Sequence, residues 1–211
     1  MTTQIRNRTQ WFVLTLGIAA TIFYFLHVII GSMNYPGYDP LTQAVSDLTA
    51  AAAPSREIAS AFTHVSGICT VALCVLLCVY YQGKVNRPFR LGVYLFAVMH
   101  GVSAVGYTLF PLSGGKTASF QDTMHIVVTA LVVVLSIASM ILIAVGSFKR
   151  RTQRIFGIVT LAALALMFIG SIGTGALPAY FGVAERFSVY SVTLYSAVLA
   201  VFAFAVRPRE G

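Results

Sequence analysis

The sequence predicts an all-α polytopic membrane protein, a bundle of six transmembrane helices. Three observations point there: 58% of the 211 residues are apolar, only 9% are charged, and the mean hydropathy is +0.84. An ordinary soluble domain is about 25% charged. The formal charge of +8 does not make a nucleic-acid footprint. The Lys and Arg residues form no single stripe and fall in the breaks between apolar runs.

The first apolar run covers about 9–32. At ~1.5 Å per residue it is long enough for a hydrocarbon core of about 30 Å. It is too long for a signal peptide, no small-residue cleavage site follows, and Trp11 offers an interfacial anchor. Further runs follow at 57–82, 89–110, 122–147, 155–174 and 187–206. There is no P-loop, Rossmann glycine run, nucleophile elbow, heptad array or internal repeat, so residues 1–211 are expected to form one six-helix transmembrane domain. Cys69, Cys74 and Cys78 all fall on the second run and read as small packing residues. On the fifth, Gly170 with Thr174 and Ser171 with Gly175 give small-residue pairs suited to close helix packing.

With six spans, Arg6, Arg8, Lys84, Arg87, Arg90, Lys149, Arg150, Arg151, Arg154, Arg207 and Arg209 share one side. The positive-inside rule makes that side cytoplasmic, with both termini there, in a cytoplasmic (inner) membrane. Arg56, Lys116 and Arg186 remain outside with the acids Asp39, Asp47, Glu57, Asp122 and Glu185. The outer connections are also the longer ones, and function is sought there.

The first of these connections holds Tyr38-Asp-Pro-Leu-Thr-Gln-Ala-Val-Ser-Asp-Leu-Thr49. Asp39 as N-cap, Pro40 at the first helical position, and Leu41, Val45 and Leu48 at helical spacing predict a short amphipathic helix. Such a helix would lay Ser46 and Asp47 against the outer ends of the spans.

Four histidines, His27, His64, His100 and His125, are spread one to a span over the first four. Taken singly, each is most simply an interhelical hydrogen bond. Ionisable groups inside a bilayer nonetheless tend to face the bundle interior and mark a site. On the fourth span Gln121, Asp122, His125 and Thr129 share a face, which suggests a histidine oriented by Asp122. On the third, His100, Ser103 and Tyr107 form a polar stripe; Ser60, His64 and Gly67 do so on the second, and Ser188, Ser191 and Tyr195 on the sixth. Four stripes directed at the same outer half imply a shared cavity.

Three chemistries suit such a cavity. Without any cofactor it would bind a lipid headgroup or small polar ligand, which asks least of the sequence and leads. Zinc held by His64, His125 and Asp122 would make a membrane-embedded hydrolase, although no His-Glu-x-x-His spacing is present. A b-type haem between two histidines is the third. Whether the protein is an enzyme stays open. The expected partners are membrane lipids, and a transporter is disfavoured by the lack of an inverted repeat.

The Tyr38-Asp-Pro-Leu-Thr-Gln-Ala-Val-Ser-Asp-Leu run, His100 with Phe110-Pro111 ending the third span, His125 opening the fourth, and Val-Ala-Glu185-Arg186-Phe-Ser before the last together resemble an uncharacterised prokaryotic family of six-helix membrane proteins, domain of unknown function nine-nine-eight. Layout alone gives a looser likeness to Frag1/DRAM-type six-helix proteins. The family resemblance implies an architecture and no activity. It directs attention to Ser46, Asp47, His100, His125, Glu185 and Arg186, to which the third-span stripe adds Tyr107.

Overall fold

The computed structural model describes residues 3–115, 117 and 119–206, with side chains from residue 8 onward. Lys116, Arg207, Arg209 and the side chain of Arg6 lie outside that description. The six helices are α1 (Thr3–Met33), α2 (Arg56–Tyr81), α3 (Arg87–Leu109), α4 (Phe120–Phe148), α5 (Arg154–Ala176) and α6 (Phe181–Ala205). All six are long and apolar enough to cross a membrane.

Local chemistry sets where the helices begin. Asn86 caps α3 by accepting from the Phe89 amide at 3.1 Å, and its side-chain amide donates to the Gly146 carbonyl at 2.7 Å, fixing α3 to the end of α4. At the start of α4, Ser119 and Asp122 form a reciprocal capping box. Helix α6 starts at Phe181 rather than 187, behind a turn led by Pro178, and has no side-chain cap of its own.

The amphipathic helix expected around Tyr38–Thr49 is replaced by a capped turn and a 3-10 helix, Ser46–Thr49. Asp39 does cap: it accepts from the Leu41 amide at 3.0 Å and the Thr42 hydroxyl at 2.8 Å. Propagation stops because side chains take the backbone groups an α-helix would pair. Tyr38 Oη donates to the Ala44 carbonyl at 2.7 Å and Asp47 accepts from the Ala44 amide at 2.9 Å, while Gln43 only adds to the cap by accepting from the Asp39 amide at 2.7 Å. The segment is therefore a strap, with Val45 and Leu48 buried beneath it.

Consecutive helices pack side by side and α6 returns to α1, closing a ring. The first turns of α1 and the last of α6 lie at the same end, where Trp11 meets Phe204 edge-on at 4.7 Å and Gln10 donates to the Ala203 and Phe204 carbonyls and to Tyr80. The Lys- and Arg-rich connections lie there too, so we term it the basic end. That end is plugged by a packed core including Tyr80, Tyr81, Phe89, Phe96, Phe156, Tyr195 and Phe202. Phe156 stacks on Phe202 with centroids 3.8 Å apart.

In lipid the hydrophobic effect gives helices little reason to associate, so close packing and hydrogen bonds must do it. Ser66 donates to the Ala20 carbonyl at 2.8 Å, Ser139 to that of Gly92 at 2.9 Å, and Thr160 meets Tyr195 at 3.0 Å, linking α2 to α1, α4 to α3 and α5 to α6. Of the small residues expected to pack on α5, Gly170 does so, since a Cβ there would lie 2.2 Å from the Ser188 nitrogen, whereas Gly175 has open space around it. All three cysteines are free, and Cys74 is part of the core.

Candidate functional site

At the other, acidic end the strap is tied to the first turns of α6. The carbonyl of Leu41 receives the Gly182 amide at 3.0 Å and the Val183 amide at 3.4 Å, supplying the cap that α6 lacks. Glu185 accepts from the Val45 amide and, at 3.2 Å, from the Ser46 hydroxyl. Arg186 donates to the carbonyls of Pro40, Gln43 and Gly182 at 2.8, 3.0 and 2.7 Å and to Tyr38 Oη at 2.6 Å. Past the 3-10 turn, the Ala51 and Ala52 amides donate to the Leu112 and Ser113 carbonyls at 2.7 and 3.2 Å, joining the strap to the α3–α4 connection.

Beneath the strap lies a cavity of about 2160 Å³. Every helix contributes to its wall: Tyr24 and His27 from α1, His64 and Thr70 from α2, His100 and Tyr107 from α3, His125 and Thr129 from α4, Ser171 from α5, and Glu185 and Ser196 from α6. Ser46 and Asp47 of the strap complete the rim. Most of the hydroxyls are held by a partner: Tyr107 Oη donates to Thr129 at 3.1 Å, and Ser171 meets Ser188 at 3.0 Å. His100 Nε2 lies 3.3 Å from the Ser196 hydroxyl, and His125 Nδ1 lies 2.8 Å from the Phe110 carbonyl.

His27 differs from the other three histidines. It is 2% exposed and neither ring nitrogen has a hydrogen-bond partner of normal geometry. A buried polar group left in this way costs about 1–3 kcal/mol. The sequence grouped His27 with the other histidines, and nothing in its apolar neighbourhood marked it out for a site.

The strap shifts its own ionisable groups. Burial pushes the Tyr38 hydroxyl up to about 12, against the opposing pull of Arg186. Asp47 is likewise raised by burial, opposed by its bond from the Ala44 amide and by His125 and Arg186. Asp39 moves the other way, held below its ordinary value by the Leu41 amide and the Thr42 hydroxyl.

Of the residues singled out in the sequence, Ser46, Asp47, His64, His100, Tyr107, His125 and Glu185 meet around the cavity. Arg186 does not; it lies in a separate groove against α5, and its donors serve the strap. Asp122 does not orient His125. Its carboxylate is taken by Ser113 and Ser119 at 2.7–3.0 Å, while the histidine turns to Phe110. Among the described residues no three His, Cys, Asp or Glu side chains stand together as a metal-ligand set, so His64, His125 and Asp122 do not form one. On α6 the cavity-facing stripe is Ser188, Val192 and Ser196, whereas Ser191 and Tyr195 face α5.

This architecture defines a six-helix, multi-pass membrane protein with a polar-rimmed cavity at one end of the ring. Residues 18–202 match the model of the family described as protein of unknown function, DUF998. The chain belongs to that family, as the Ser-Asp-Leu and Glu-Arg elements implied. No curated protein and no solved structure matches it.

Proposed function

We propose that the protein binds a lipid headgroup or small polar ligand in the cavity at its acidic end, using Ser46, Asp47, His100, Tyr107, His125 and Glu185. The observation that carries this reading is convergence: all six helices and the strap turn polar side chains toward one cavity. Lipid-facing positions would have no use for them. The basic loops support a cytoplasmic basic end in a cytoplasmic membrane, which opens the cavity toward the outside. Arg186 serves this site indirectly, by holding the strap across its mouth.

Native mass spectrometry of the protein extracted in mild detergent tests the binding. The expected result is a retained small molecule or lipid whose occupancy falls at least tenfold in the His100→Ala, Ser103→Val double variant, with the melting temperature little changed. Occupancy equal to wild type in that variant would remove the assignment. For the orientation, a single cysteine placed at Thr42 in a cysteine-free background should react with an impermeant maleimide on intact cells, and one at Lys149 should not.

A further inference from the structure

We infer that the ligand is a membrane phospholipid whose acyl chain leaves the cavity sideways, between α2 and α3; this rests on the ligand-binding reading above. The first ground is size. The space is about 2160 Å³, open rather than enclosed and including the cleft that runs onto the exposed Ile68, Val105 and Ile126, against the ~300–1,000 Å³ that pockets for drug-sized ligands occupy. A headgroup by itself would leave most of it unfilled.

The second ground is how the lining changes from the rim inward. The charged lining residues, Asp47, Arg56, Glu57 and Glu185, all stand at the strap end, while the deeper wall mixes Val71, Met99, Val132, Met167 and Val192 with Thr70, His100, Ser136 and Ser196. Formal charge confined to the roof, with hydroxyl and apolar groups below, matches the placing of a headgroup above an acyl chain in a bilayer. The packed core at the basic end closes the way onward.

The third ground is the side wall. Between α3 and α4 the ring is sealed, since a Cβ on Gly106 would lie 2.7 Å from Val128, and between α5 and α6 it is sealed by the approach of Gly170 to Ser188. Between α2 and α3 it is thin. A Cβ on Gly67 would meet Ala104 alone, at 3.8 Å, and one on Gly101 would meet nothing within 4 Å. The cavity lining continues there onto Ile68 and Val105, which are 71% and 59% exposed on the bundle's outer surface. At that seam the helices touch only through small side chains and backbone. The lining also reaches the exposed Ile126 on α4, so the route must be tested against a second seam between α4 and α5.

The full chain is reconstituted in vesicles of phosphatidylethanolamine and phosphatidylglycerol with a trace of phospholipid carrying a diazirine in its acyl chain. Irradiation followed by peptide mapping locates the adducts. The expected result is labelling of the cavity-lining Val71, Val132 and Val192 as well as the outward-facing Ile158. Gly67→Trp should reduce the inner adducts at least fivefold and leave those at Ile158 unchanged. Gly67→Ala, whose Cβ makes only ordinary contact, should label like wild type and controls for folding.

Adducts confined to outward faces would overturn the inference, as would inner labelling indifferent to Gly67→Trp, which would assign the route to the other seam. If native mass spectrometry finds a retained water-soluble molecule while inner adducts are missing, the binding reading stands and the lipid inference falls. If neither is found, both fall.

Discussion

Glu185 and Arg186, neighbours in the chain, grip the same strap with opposite chemistry. The carboxylate accepts from the Val45 amide and the Ser46 hydroxyl, while the guanidinium donates to the Pro40 and Gln43 carbonyls. Glu185 lines the cavity and Arg186 lines the groove against α5, so the strap is fastened on both flanks of α6.

Arg186 depends on a planar fork that reaches several oxygens at once. Arg186→Lys keeps the charge and loses that reach. We expect it to destabilise the folded protein by about 1.5–3 kcal/mol, the net value of a charge-assisted hydrogen bond or two. Thermal melting in detergent measures this, and hydrogen exchange should rise over residues 38–49 before the spans.

Glu185→Gln and Glu185→Ala should separate. The amide oxygen of Gln still accepts from Val45, so the cost stays below about 1 kcal/mol. Alanine leaves that amide unpaired, and about 1–3 kcal/mol is lost. Equal melting temperatures for the two variants would contradict the bond.

Asp47 should make the strap weaken as pH rises. Burial raises its pKa above the ordinary 3.8, so the folded state binds the proton more tightly than the unfolded chain does. Its contribution is therefore most favourable below 3.8 and declines as pH climbs through the raised value. Asp39, shifted the opposite way, loses its contribution as pH falls below 3.8. Asp47→Asn keeps an acceptor for the Ala44 amide and should flatten the first dependence. Exchange rates of the strap amides, corrected for intrinsic pH effects, report it.

Gly182 is where the strap rides directly on α6. A Cβ there would lie 2.3 Å from the Gln43 carbonyl oxygen and 2.6 Å from that of Pro40. Gly182→Ala must lift the strap, at a cost of roughly 1–3 kcal/mol. Melting and strap exchange should both register it.

Tyr195, one of the stripe residues read from the sequence, bonds to Thr160 at the α5–α6 contact. Tyr195→Phe should cost on the order of 0.6 kcal/mol, as interhelical hydrogen bonds in membranes do. Ligand retention in native mass spectrometry should be unchanged.

The spans were legible because length and continuous apolarity suffice to define them, and the helices found differ from the expectation mainly at capped or strapped ends. The strap was misread because Asp39-Pro40 does begin a turn, yet what stops it is the pair of bonds that Tyr38 and Asp47 make to Ala44, which spacing does not reveal. The α6 stripe was misassigned because Ser188, Ser191, Tyr195 and Ser196 put hydroxyls on two faces, so polarity alone cannot say which one meets the cavity. The role of Arg186 depends on backbone carbonyls nearly 150 positions away, and carbonyls leave no mark in a sequence.

That separation bears on biogenesis. Val45 leaves the ribosome 140 residues ahead of Glu185, roughly 7–30 s at ordinary elongation rates. Through that interval the first hairpin must wait in the membrane without its fastening, and α6 arrives with amide groups that only the waiting segment can satisfy. The sixth span, made after the other five, completes the roof over them.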